Sequence, residues 1–188
     1  MKETHSIYVL LTDTGTLFTR FIRCFTGVEM NHASIAMDRE LKEVYSFGRK
    51  QQNNPWIGGF VREDMTSRMF GQATCAVYRC TVSKAAYERI RSRIREIERN
   101  EHRYKYNFLG LFGVLLNMRI HRENAYFCSQ FVASVLDESG VDISTKPACL
   151  VTPADIERAQ PLREVYRGCL QKYLHKSSKH LSEQTLPA

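Results

Sequence analysis

The sequence predicts an α+β fold, because four short β-rich runs, at 6–12, 32–37, 42–47 and 74–82, lie among stretches whose apolar residues recur every three or four positions. At 188 residues and 43% apolar composition the chain can close one sizeable core, while two domains would each be marginal. One domain over residues 1–174 is expected, followed by a flexible tail at 175–188 that lacks apolar periodicity.

The elements follow in order. Residues 6–12 (SIYVLLT) are β-branched and aromatic and close on Asp13, Thr14 and Gly15, as a buried strand does. Leu17, Phe18, Phe21, Ile22 and Phe25 then share one helical face, and Gly27 stops that helix. Residues 32–37 (HASIAM) and 42–47 (KEVYSF), joined by three polar residues, read as a hairpin, with 74–82 as a further strand. Residues 48–72, which contain Pro55, Gly58, Gly59, Gly71 and the single Trp56, read as a long loop able to close over a groove.

Ser83 caps a helix through about Asn100 with Tyr87, Ile90, Ile94 and Ile97 on its inner face. Residues 104–118 are the most apolar stretch, a buried or groove-lining element in which Gly110 and Gly113 weaken a regular helix. Residues 127–138 (FCSQFVASVLDE) form an amphipathic helix ending at Gly140. Thr152, Pro153 and Asp155 carry the pattern of a helix start: N-cap, N1 and N3.

Composition narrows the function classes. Net charge is +7, but Arg89, Arg91, Arg93, Arg95 and Arg99 are interleaved with Glu88, Glu96 and Glu98 as on a solvated helix face, and no nucleic-acid motif accompanies them. No nucleic-acid partner is therefore expected. The apolar stretches are too short to span a bilayer, although a basic chain is compatible with peripheral contact at a membrane surface. The polar opening MKETHS carries no secretory apolar region, so the expectation is a cytoplasmic protein with its six cysteines reduced. No metal or cofactor is expected, since paired spacings such as HExxH do not occur.

Of the six cysteines only Cys128 stands in the first turn of an amphipathic helix, where free amides and the helix dipole stabilise a thiolate. The other five read as small buried hydrophobes. A thiolate nucleophile needs a base on a neighbouring rigid element. Among the six histidines, His32 alone opens an apolar strand; His5, His175 and His180 lie near the ends, and His102 and His121 in polar stretches. The pairing of Cys128 with His32 is thus the catalytic candidate.

The segments Asn31-His32-Ala33-Ser34-Ile35-Ala36 and, 96 positions on, Tyr126-Phe127-Cys128-Ser129-Gln130-Phe131-Val132 resemble the circularly permuted papain-like hydrolases, relatives of NlpC-type amidases and of lecithin:retinol acyltransferase. The resemblance implies an antiparallel sheet or small barrel packed against helices, with the His-bearing strands before the Cys-bearing helix. It implies Cys128 as nucleophile and His32 as base, with a third polar residue on the following strand. Hairpin geometry nominates Ser46 for that place, with Tyr45 or Glu43 if the register slips.

The expected activity is hydrolysis of an amide in a small peptide or amide substrate through an acyl-thioenzyme, the Cys128 amide being one oxyanion donor. Two alternatives remain open on sequence: a lipid acyltransferase or thioesterase, suggested by the apolar stretch 108–116, and a non-catalytic binding module that retains the groove.

Overall fold

The computed structural model describes residues 3–13, 30–51, 54–120 and 122–184. The helix expected around Leu17 to Phe25, and with it Cys24, lies outside them, as does His121. Eight strands are present among the described residues: β1 (Thr4–Asp13), β2 (His32–Ala36), β3 (Val44–Gln51), β4 (Asn54–Glu63), β5 (Thr74–Ser83), β6 (Lys105–Tyr106), β7 (Ala125–Tyr126) and β8 (Leu162–Cys169). Five α-helices accompany them: α1 (Lys84–Arg99), α2 (Phe108–Leu115), α3 (Cys128–Glu138), α4 (Pro153–Glu157) and α5 (Leu170–Gln184). The fold is α+β. Its main sheet is antiparallel with strand order β4-β3-β2-β1-β5-β8, and β6 and β7 form a separate parallel pair.

Period-two alternation sends the sheet's side chains into two cores. Ile7, Val9, Leu11, Ala33, Ile35, Tyr45, Phe47 and Phe60 meet the inner faces of α1 and α3, through Ile90, Ile94, Ile97, Phe131, Val132 and Val135. Tyr8, Leu10, Ala36, Val44, Cys75 and Val77 form the second cluster with Met65, Phe70 and, from α5, Leu170 and Tyr173. Helix ends follow the sequence signals. Ser83 accepts from the Ala86 amide at 3.2 Å, and Thr152 and Asp155 complete a reciprocal capping box around Pro153. Gly140 adopts φ +77° just past α3, where its amide bonds Asp137 and that of Val141 bonds Leu136.

Three expectations are revised. Residues 48–72 are not a long loop, because 48–51 continue β3 and 54–63 form β4 at the sheet edge, leaving only a turn with a 3-10 segment at Arg68–Phe70. The glycines that read as loop signals are places of close approach: a Cβ on Gly58 would stand 2.9 Å from the Tyr106 Cβ, and one on Gly59 3.3 Å from the Tyr104 carbonyl. Residues 175–184 are not a frayed tail but part of α5, which buries Leu170, Tyr173 and Ser177 at helical spacing. Residues 108–115 are a regular helix. Its Gly110 and Gly113 are required because a Cβ would collide with the Asn107 side chain at the first and come within 2.7 Å of the Met118 carbonyl at the second.

Phe47 ties the site-bearing elements together. It is fully buried, and its ring lies 5.2 Å from those of Tyr126 and Phe131, 5.9 Å from Phe60 and 6.2 Å from Tyr104. Replacing it removes contacts to β4, β7 and α3 at once. Phe47→Ala is expected to cost about 3–5 kcal/mol in urea-unfolding equilibria.

Candidate active site

Cys128 is the first residue of α3, and the helix presents its start to β2. Phe127, at the N-cap, has no side-chain acceptor, so the first-turn amides stay available to another anion. The His32 side chain and the backbone amides of Ala33 and Ser129 lie close enough to the Cys128 thiol to favour its thiolate form. Helix register is held by Ser129 Oγ, which donates to the Val151 carbonyl at 2.7 Å, and by Gln130 Oε1, which accepts from Asn107 Nδ2 at 3.3 Å. Phe131, Val132, Val135 and Leu136 anchor the buried face.

His32 opens β2. Register with β1 sets it opposite Thr12, and continuing the Ile35–Tyr45 pairing with β3 sets it opposite Gly48, which has no side chain to orient an imidazole. The orienting group comes instead from one strand further out. Glu63, the last residue of β4, approaches His32 Nε2 to 2.7 Å through Oε1. Its carboxylate is nearly enclosed: Ser46 Oγ donates to Oε1 at 2.8 Å and Ser34 Oγ donates to Oε2 at 2.6 Å. Both serines are fully buried.

Ser46 therefore has a role one step removed from the expected one. It holds the carboxylate that holds the histidine. Neither Tyr45, which is buried in the first core cluster, nor Glu43 supplies the orienting bond. Glu63 went unnoticed because it lies inside the segment read as a loop. The available signal was the run Phe60-Val61-Arg62-Glu63, a short β-compatible stretch after Gly59.

The electrostatics are those of a buried His32–Glu63 pair with the Cys128 thiol beside the same imidazole. Burial alone would lower the His32 pKa, but the Glu63 charge and hydrogen bonds to Cys128 and Glu63 outweigh it and raise the value to about 10. Burial would raise that of Glu63, yet the His32 charge and bonds from His32, Ser34 and Ser46 lower it below the ordinary value. Cys128 behaves alike: burial opposes the thiolate, whereas His32 and the amides of Ala33 and Ser129 favour it, and the net direction is down. Cys75 and Cys80, buried without such partners, are pushed up, Cys75 to about 12. Depression of a thiol in a buried position thus traces to its neighbours.

No protein-family model matches the chain, and no curated protein is significantly similar to it. The site therefore rests on its own geometry. A cleft of about 430 Å³ runs along α3, lined by Tyr126, Gln130, Ser134 and Cys149 among others; neither Cys128 nor His32 lines it. Among the described residues no group of three or more His, Cys, Asp and Glu is arranged to hold a metal ion.

Linkage gives this site a pH signature. The His32 value is raised, so its contribution to stability is complete below the unfolded value of 6.5 and is lost as pH rises through about 10. The Glu63 value is depressed, so its contribution is present above 4.5 and is lost as pH falls through the folded value. Glu63→Gln is expected to destabilise by about 3 kcal/mol between pH 5 and 6.5, with the gap from wild type narrowing above pH 10 and in acid, as read by denaturant unfolding across pH. Ser46→Ala removes one donor to the carboxylate and should cost about 1–2 kcal/mol.

Proposed function

We propose that the protein is a cysteine hydrolase that cleaves an amide bond through an acyl-thioenzyme, with Cys128 as nucleophile, His32 as base and then acid, and Glu63 as the residue that orients His32. The observation that carries this reading is the His32 imidazole held between a depressed thiol and a buried, doubly hydrogen-bonded carboxylate. The order of elements supports a permuted papain-like fold: antiparallel strands bearing the histidine and carboxylate come before the helix bearing the cysteine.

In the resting enzyme the thiol proton resides on His32, giving a thiolate and imidazolium. The sulfur attacks the substrate carbonyl carbon, and the C=O electron pair moves to oxygen, where the Cys128 amide at the start of α3 is a candidate donor. Collapse of the tetrahedral intermediate breaks the C–N bond as His32 gives its proton to the departing amine. His32, now neutral, takes a proton from water, and the hydroxide attacks the thioester. The acid leaves and the thiolate is restored. Glu63 stays ionised throughout, which keeps the imidazole ring aimed and stabilises its charged form.

The substrate class is a small peptide or amide, with no nucleic acid and no cofactor in the scheme. The five described cysteines are unbridged, which fits a reducing, cytoplasmic setting. Among the described residues no helix is long and apolar enough to cross a membrane. A second reading, acyl transfer or thioester hydrolysis on lipid, is favoured by the exposure of Leu109 and Phe112 on α2 and of Leu116 at its C-cap. A rate that rises with acyl-chain length in an ester and amide series separates it from amide hydrolysis.

The test is the pH profile of Cys128 alkylation by iodoacetamide, followed by peptide mass spectrometry. Wild type should react well below the free-thiol range near pH 8.5, and His32→Ala should move the profile upward. Glu63→Gln should lower amide turnover about 10²-fold or more, and Ser46→Ala by less than about tenfold. Equal reactivity of Cys128 and Cys80 at pH 7 would overturn the hydrolase reading in favour of a binding module.

A further inference from the structure

Helix α2 is apolar on two sides. Phe108, Leu111 and Val114 pack on the first core cluster, whereas Leu109, Phe112 and Leu116 stand 55%, 53% and 69% exposed at three- and four-residue spacing, followed by Met118 at 54%. Only six large hydrophobics are exposed among the described residues, and these four lie within ten positions. Concentration of that kind marks an interaction surface. Residues 102–122 contain Arg103, Lys105, Arg119 and Arg122 and no Asp or Glu. All four basic side chains are exposed.

We propose that the outer face of α2 docks the protein on an anionic lipid surface, with Leu109, Phe112, Leu116 and Met118 entering the interface and Lys105, Arg119 and Arg122 meeting the headgroups. Exposed apolar anchors with exposed cations on both sides of them in sequence match the two contributions that peripheral binding combines. A second copy of the chain is a poorer occupant. Four half-exposed side chains offer a few hundred Å² at most, below the roughly 800 Å² per partner of a stable interface. A two-fold contact would also bring two cationic faces together with no acidic residue in 102–122 to pair them.

The surface is tied to the site. Asn107, the N-cap of α2, donates its backbone amide to the Tyr126 carbonyl at 2.9 Å and its side-chain amide to Gln130, on either side of Cys128 in sequence. The docking itself requires no catalysis, so its failure and that of the hydrolase reading are separate results.

The experiment is flotation of the full chain with phosphatidylcholine vesicles, with and without phosphatidylglycerol, at low and high salt. Wild type should bind the anionic vesicles, bind them less at high salt, and leave the neutral ones. Leu109→Ser/Phe112→Ser and Arg119→Glu/Arg122→Glu should each weaken binding more than about tenfold, at about fivefold per basic residue lost, with thermal unfolding and Cys128 alkylation unchanged. Absence of wild-type binding, equal binding to both vesicle types, or full binding by either double variant would overturn the proposal. So would a vesicle-free dimer in light scattering that Leu109→Ser/Phe112→Ser converts to monomer, since the face would then serve self-association.

Discussion

The contact between His32 and Glu63 is the constraint on which the site depends. A carboxylate taken out of water is costly unless its charge is met and its lone pairs are filled. Here the imidazolium meets the charge, and Ser34 and Ser46 supply the hydrogen bonds. The same imidazole draws the Cys128 thiol toward its thiolate form against the cost of burial. The amides of Ala33 and Ser129 and the N-terminal end of α3 favour the thiolate as well. Each group shifts the next toward its charged form, so the three titrate as a unit.

That cluster requires β2, β3 and β4 to be adjacent and α3 to start beside the first residues of β2. Close packing enforces both. Gly58 lets the β4 backbone approach β6, and Phe47 binds the strands to β7 and α3 through a shared aromatic group. Exchange of Gly48 for a larger residue would fill the space beside the His32 ring, where a Cβ would already stand 3.6 Å from Cε1. The catalytic reading is thus coupled to packing well outside the site.

Much of the architecture was legible in local pattern. The strands around residues 6–12, 32–37, 42–47 and 74–82 and the helices after Ser83, at 128 and after Thr152 stand where alternation, helical spacing and capping residues indicated. The places of Cys128 at a helix start and of His32 at a strand start were legible too. Strands β4 and β8 were not. Gly58, Gly59 and Pro55 carry turn chemistry locally, and their place in a sheet edge depends on β3 and β6. Helix α5 was missed because its inner face is short, with Leu170 and Tyr173 in the second core cluster and a buried serine, Ser177, one turn on.

By itself, the sequence determined the α+β class and singled out Cys128 at a helix start and His32 at a strand start, because each follows from interactions within a dozen residues: periodicity, caps and the field at a helix terminus. Only the tertiary structure decided which residue orients the histidine. Ser46, Tyr45, Glu43 and Glu63 are all polar or ionisable residues in or beside strands, and sequence spacing does not rank them. The choice falls to strand order and register, which put Gly48 opposite His32 and leave the carboxylate of a strand 31 positions away to make the bond.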